Sequence, residues 1–193
     1  KFLESKSKFV GKSLDNLSAQ GLIKDDENVT GAATKWDYSL QANNQVYLKK
    51  SDISFNEFCI YDLDNNKTNI LETGRIYKVK AVFFPNEDYS DDITFALRIK
   101  NIQGYVVAWV GFPFEINNFI SMQKGMEKNI EYYFDNNLLA GVYSIDAGLQ
   151  SINDKDLFIH VGIQDLFLFK VIKDHKTKKH GVVDLNCRVK INK

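Results

Sequence analysis

Arginine is nearly missing from this chain. Of its 25 basic residues, only Arg75, Arg98 and Arg188 are arginines. Arginine is the side chain suited to bidentate clamps on phosphate and carboxylate, so its scarcity argues against a protein built around such clamps. There is no excess of either charge, because the 25 basic residues are matched by 25 acidic ones. A general nucleic-acid binder needs a basic surplus to replace counterions on phosphates, so that class is excluded, while a local basic patch is not. Proline occurs only twice, which suits long uninterrupted strands. The two cysteines, Cys59 and Cys187, lie in strand-like segments without a Cys or His partner at metal-ligand spacing. We expect buried free thiols in a reducing compartment, with a Cys59–Cys187 disulfide as the alternative. No apolar run approaches the ~18 residues of a membrane-spanning helix, and no signal peptide is visible. The chain opens at Lys1 rather than at a methionine, which reads as a piece of something longer.

What is present is alternation. The first stretch, "KFLESKSKFVGKSLDNLSAQGLIKDDE", is rich in Lys, Ser and Asp and poor in β-branched residues. Residues 1–27 are therefore expected to form a linker or N-terminal extension, and residues 28–193 the folded domain. In Ile53–Tyr61, Ile53, Phe55, Cys59 and Tyr61 are expected on one face. Tyr77, Val79, Ala81 and Phe83 share a face, with Lys78 and Lys80 opposite. Ile93, Phe95, Leu97 and Ile99 alternate with Thr94, Ala96 and Arg98. A strand over Tyr105–Val110 follows the turn "NIQG". Ile130, Tyr132 and Phe134 point inward, Glu131 and Tyr133 outward. Val183, Leu185, Cys187, Val189 and Ile191 alternate with polar residues in a closing strand. Period-2 patterning with a turn every ten residues or so predicts an all-β fold, an antiparallel β-sandwich with one wet face per sheet. At 193 residues, such a chain buries roughly 70% of its unfolded surface and needs no metal or disulfide staple.

The chemistry-bearing motifs are thin. "FVGKS" (Phe9–Ser13) has the end of a phosphate-binding loop, but Lys6 stands where that loop needs a glycine and no strand precedes it. His175 and His180 flank "KTKK" in a polar loop, and His160 lies near a strand end. No nucleophile elbow, HExxH or paired-carboxylate motif accompanies them, so no catalytic residue, metal ligand or cofactor is expected. In "AGVYSIDAGLQ", alternation places Tyr143, Ile145, Ala147 and Leu149 in the core. Ser144, Asp146 and Gln150 fall on the other face, where the Asp146 charge is expected to stay hydrated. A sheet face carrying Trp109, Tyr133, Arg98, Asp146 and Gln150 suits a hydroxyl-rich ligand. Aromatic faces take sugar C–H groups, while Arg, Asp and Gln take the hydroxyls.

A series of segments then acquires a common meaning. "KSDISFNEFCIYDLDNN", "ILETGRIYKVKAVFF", "ITFALRIKNIQGYVVAW", "LLAGVYSIDAGLQ", "FIHVGIQDLFLFKVI" and "HGVVDLNCRVKI" follow in order. Together they resemble the C-terminal carbohydrate-binding domain of Wzt-type ATPases, the nucleotide-binding subunits of ABC transporters that export O-antigen polysaccharide in Gram-negative bacteria. The resemblance spans residues 50–191 and rests on the "TG…Y" start of a strand, the "I..IQG" turn, "GVYSIDAGL" and the "QDLFLFKV…GVVDL" ending. It departs at "GAATKWDYSLQANNQVYLKK", which contains Trp36.

The resemblance implies a jelly-roll or immunoglobulin-like sandwich. It implies a non-enzymatic module that recognises the finished, often capped, end of an O-polysaccharide and couples it to export. It further implies an attached ATPase domain, a membrane permease, and a cytoplasmic location at the inner membrane. A homodimer formed by exchange of the C-terminal strand, here Val183–Ile191 with "KDHKTKKHG" as hinge, is implied as well. A structural dimerisation or docking sandwich without its own ligand is the alternative expectation.

Overall fold

The computed structural model describes residues 36–49, 53–112, 120–153, 156–172 and 181–184. The expected N-terminal extension, the "FVGKS" stretch, His175, His180, Cys187 and most of the expected closing strand lie outside them. The described residues contain ten strands and no helix: β1 (Val46–Lys49), β2 (Ile53–Tyr61), β3 (Ile70–Glu72), β4 (Ile76–Pro85), β5 (Tyr89–Asn101), β6 (Val106–Phe112), β7 (Ile120–Met122), β8 (Lys128–Asp135), β9 (Gly141–Asn153) and β10 (Asp156–Ile172).

They form two sheets. The larger runs β1-β10-β9-β5-β6, with β3 added beside β1 along β10 and β7 beside β6 along β5; the smaller is β2-β4-β8. All pairings are antiparallel except β3 on β10. The all-β sandwich that alternation predicted is therefore the observed architecture. Between the sheets lies one core, with Tyr77, Val79, Ala81, Phe83 and Ile130 on one side and Ile93, Phe95, Leu97, Ile145, Leu149 and Phe169 on the other. Phe83 and Phe95 meet edge to face across it, with ring centroids 5.3 Å apart.

The motif turns have local causes. In "TG…Y", Gly74 adopts φ 80°, a conformation open to glycine without penalty. Its N–H donates to Asn136 O at 2.7 Å. The Thr73 hydroxyl donates to Leu138 O, and the Glu72 N–H donates to the buried Tyr77 hydroxyl. In "NIQG", the Asn101 side-chain oxygen accepts from the N–H groups of Gln103 and Tyr105. That turn starts β6 at Val106 and carries it to Phe112, two residues beyond the expected end. Upstream of β1, Asp37 and Asn69 exchange two hydrogen bonds. The Asp37 N–H donates to Asn69 Oδ1 at 2.6 Å, and Asn69 Nδ2 donates to Asp37 O at 2.8 Å. Trp36 rests edge-on against Phe167 at 6.1 Å.

One predicted face is corrected. The pairing of β2 with β4 slips between Phe55 and Glu57, and such a bulge reverses the inward and outward sets beyond it. Ile53 and Phe55 face the core as expected, but from there Phe58 and Ile60 take over. Cys59 and Tyr61 turn to the outer side of the small sheet, where Cys59 is buried and free.

Candidate functional site

The outer face of the large sheet collects four of the five residues singled out from sequence. Cross-strand pairing sets Trp109 on β6 against Arg98 on β5, and Arg98 against Asp146 on β9. Gln150 lies two pairs along β9 on the same face, opposite Thr94. Between these rows runs a line of small residues: Gly162, Gly148, Ala96 and Gly111, on β10, β9, β5 and β6. At the usual strand spacing this strip is about 14 Å long.

Side chains close over both ends of the strip. A methyl group at Gly111 would stand 3.5 Å from Trp109 Cη2, so the indole leans over that glycine. At the other end, Leu48 and Ile159 reach within 3.3 Å of the corresponding position on Gly162. Gly148 is obligatory for another reason. A methyl there would sit 2.6 Å from the Val161 carbonyl oxygen, because β10 bulges beside it between Ile159 and Val161. Trp109 itself is 62% exposed, a large apolar surface left open on the sheet.

Asp146 is not where hydration can reach it. It lies on the outer face, as alternation required, but it is only 6% exposed, and the expectation of a solvated carboxylate is corrected. A second irregularity causes this. Between Ile163 and Phe167 the β10 ladder skips, so Gln164, Asp165 and Leu166 stand against Asp146 alone. The bulge folds over the carboxylate, with Asp165 at φ 51°, in the left-handed region that Asp tolerates better than most residues.

The Asp165 N–H donates to Asp146 Oδ1 at 2.8 Å. Lys100, 8% exposed, bridges Asp146 Oδ1 at 2.8 Å and Asp165 Oδ1 at 2.9 Å. Arg98 turns Nε and Nη2 toward Asp146 Oδ2, with the Nε contact at 2.8 Å. A buried carboxylate needs this degree of pairing. Asp146 is thus fully engaged, and Arg98 is the member whose remaining N–H donors have no acceptor among the described residues.

Sequence reasoning missed Lys100 and Asp165. Asp165 did carry a signal: in an unbroken strand it would share the inward face of Ile163 and Phe167. A charge at a core position announces a bulge.

Tyr133 is not part of this assembly. It lies on β8 in the small sheet, opposite Lys78, which in turn faces Tyr61. It is 59% exposed, and its neighbours are already committed. Lys78 Nζ donates to Asn65 Oδ1 at 2.8 Å and pairs with Glu131 at 3.3 Å, while lying 5.6 Å from the Tyr61 ring centre. Glu57 accepts from the Tyr61 hydroxyl at 2.6 Å and pairs with Lys67 and Lys80. The Tyr61, Lys67 and Lys80 donors hold the Glu57 carboxyl down at about 2. Burial, then the bond to Glu57, pushes the Tyr61 phenol up to about 12. Burial pushes the Cys59 thiol up to about 11.

His160 Nε2 lies 2.9 Å from Ser151 Oγ, and its ring meets Tyr89 edge-on at 5.3 Å. No group of three or more His, Cys, Asp or Glu side chains that could hold a metal occurs among the described residues. No helix among them is long and apolar enough to cross a membrane.

Fold and face together define a β-sandwich module with an aromatic and polar strip on one sheet. The sequence profile of the Wzt C-terminal domain family matches residues 45–185, and the chain belongs to that family. Among solved structures, the crystal structure of the C-terminal domain of Wzt aligns with a TM-score of 0.71 at 16% identity, covering 78% of this chain and 90% of that one. At that identity the likeness establishes the fold. A Niemann-Pick type C2 protein from the Japanese carpenter ant aligns with a TM-score of 0.43 at 14% identity, over 65% of this chain and 96% of that one, and carries no functional weight. A comparison with curated proteins found no match.

Proposed function

We propose that this domain is a non-catalytic glycan-binding module that recognises the capped end of an O-antigen polysaccharide and couples it to export by an ABC transporter. The observation that carries the reading is the open Trp109 indole beside the unspent donors of Arg98, on a chain of the Wzt C-terminal domain family. Stacking on the indole supplies apolar contact to a sugar face, and Arg98 and Gln150 border the strip as polar partners. In this reading the domain works on the cytoplasmic side of the inner membrane, joined through residues 1–27 to an ATPase that acts with a permease. It works as a homodimer, with Val183–Ile191 as the exchanged strand.

The test is calorimetric titration of the O-polysaccharide from the same strain into the domain, with an unrelated O-polysaccharide as control. Heat of binding for the matched chain only, lost in Trp109→Ala, is the expected result. No heat with either chain, together with a stable dimer, would favour the ligand-free docking sandwich.

A further inference from the structure

The outer-face charges add up in a way that specifies the ligand more narrowly, provided the glycan reading above holds. Arg98 and Lys100 contribute two positive charges, Asp146 and Asp165 two negative ones, all within one chain of contacts of 2.9 Å or less. Both Asp146 oxygens are occupied and Lys100 is enclosed between the two carboxylates. Two groups still face outward. Arg98 has N–H donors to give. Asp165, with its side chain 31% exposed, has one carboxylate oxygen with no partner among the described residues.

A sugar hydroxyl can accept from the first and donate to the second. An anionic group can only accept. It would have to compete with Asp146 for Arg98 and would leave the open Asp165 oxygen facing like charge. The opposite border of the strip, Thr94 and Gln150, is uncharged and adds no cation.

We propose that the Arg98–Asp146–Lys100–Asp165 network makes the Trp109 subsite selective for uncharged sugar residues over uronic acids. Arg98 touches the ligand; Asp146 and Lys100 are positioning residues that turn its guanidinium edge toward the indole; Asp165 sets the charge balance.

The experiment follows the indole N–H of Trp109 by NMR in the full 193-residue chain, which has two tryptophans, the signal being assigned with Trp109→Phe. The probes are the methyl glycosides of glucose, galactose and mannose, and those of glucuronic and galacturonic acid. Neutral glycosides are expected to shift the signal at concentrations where the uronates do not. Lowering the salt should not rescue the uronates, since a balanced network offers an anion no net attraction.

Asp165→Asn, which keeps a residue suited to the left-handed backbone, leaves the network at +1. It should move the uronate-to-neutral affinity ratio up by about tenfold and restore a salt dependence. Uronates that bind the parent as well as neutral sugars, or better at low salt, would overturn the proposal and leave the glycan reading standing. An unchanged ratio in a folded Asp165→Asn variant would also overturn it. Sugars that shift other residues but not Trp109 would move the glycan site elsewhere and end the proposal. If neither these probes nor the matched polysaccharide shifts any signal, the glycan reading fails with it.

Discussion

The outer faces of the two sheets are built from the same ingredients and put them to different use. Each has an exposed aromatic, Trp109 on one and Tyr133 on the other. Each has lysines, carboxylates and a hydrogen-bonded ion network beneath. On the small sheet the network is solvated at its edges, and the lysines next to Tyr133 are consumed by Glu131, Asn65 and Glu57. On the large sheet a bulge has pulled the central carboxylate out of water, so one arginine is held rigidly with donors to spare. The difference teaches that a list of polar and aromatic residues does not make a site. What separates the two faces is which groups remain uncommitted and whether the surface beside them is open.

Deleting the central carboxylate on each face should separate them most sharply. Asp146→Ala leaves Lys100 buried with only Asp165 and should cost about 3–5 kcal/mol in urea unfolding. Glu57→Ala also loses three partners, Tyr61, Lys67 and Lys80, yet should cost only about 1 kcal/mol, because they can turn to water. Equal losses would show that the two networks are alike. Gly148→Ala comes next, at about 1–3 kcal/mol, since the added methyl meets backbone at 2.6 Å and β10 must move; Ala96→Gly, in the same strip, should lose less than half of that. Trp109→Ala should abolish glycan binding while shifting stability by less than about 0.5 kcal/mol, whereas Tyr133→Ala should leave binding intact. The reverse pattern would transfer the site to the small sheet.

The acid limb of stability gives a smaller contrast. Glu57 is held at about 2 in the fold against an ordinary 4.5. Its contribution is therefore complete above pH 4.5 and disappears as pH falls toward 2. Glu57→Gln should sit below the parent at neutral pH and converge with it near pH 2 in thermal melts. Smallest of all, Cys59, 3% exposed with its thiol pushed up to about 11, should resist iodoacetamide at neutral pH until the domain is unfolded.

Alternation made much of this legible. β4, β5 from Ile93 onward, and β8 show the faces that period 2 assigns, because where their ladders slip, at Asn56 and Val107, the extra residue belongs to the partner strand. Where the reading failed, a bulge intervened. At Asn56 one extra residue exchanged the roles of Cys59 and Phe58. In β10 the Gln164–Leu166 excursion keeps the parity of Ile163 and Phe167, so the apolar pattern runs on as if nothing had happened. Alternation also assigns a side and not a depth. Asp146 is outward and buried at once, because its cover comes from a segment 19 residues away in sequence. Tyr133 looked equivalent to Trp109 because a sequence pattern cannot say to which of two sheets an outward residue belongs.

The exchange of hydrogen bonds between Asp37 and Asn69 has a mechanical consequence. Asn69 leads directly into β3, and its carbonyl accepts from the Lys170 N–H of β10. A pull arriving from the N-terminal side of Trp36 is therefore taken up at Asn69 and passed to β10 before the β1 ladder bears any load. Tension from that direction enters the sandwich through the longest strand of the sheet that carries Trp109, by way of the two bonds at Asn69 and the Trp36–Phe167 contact.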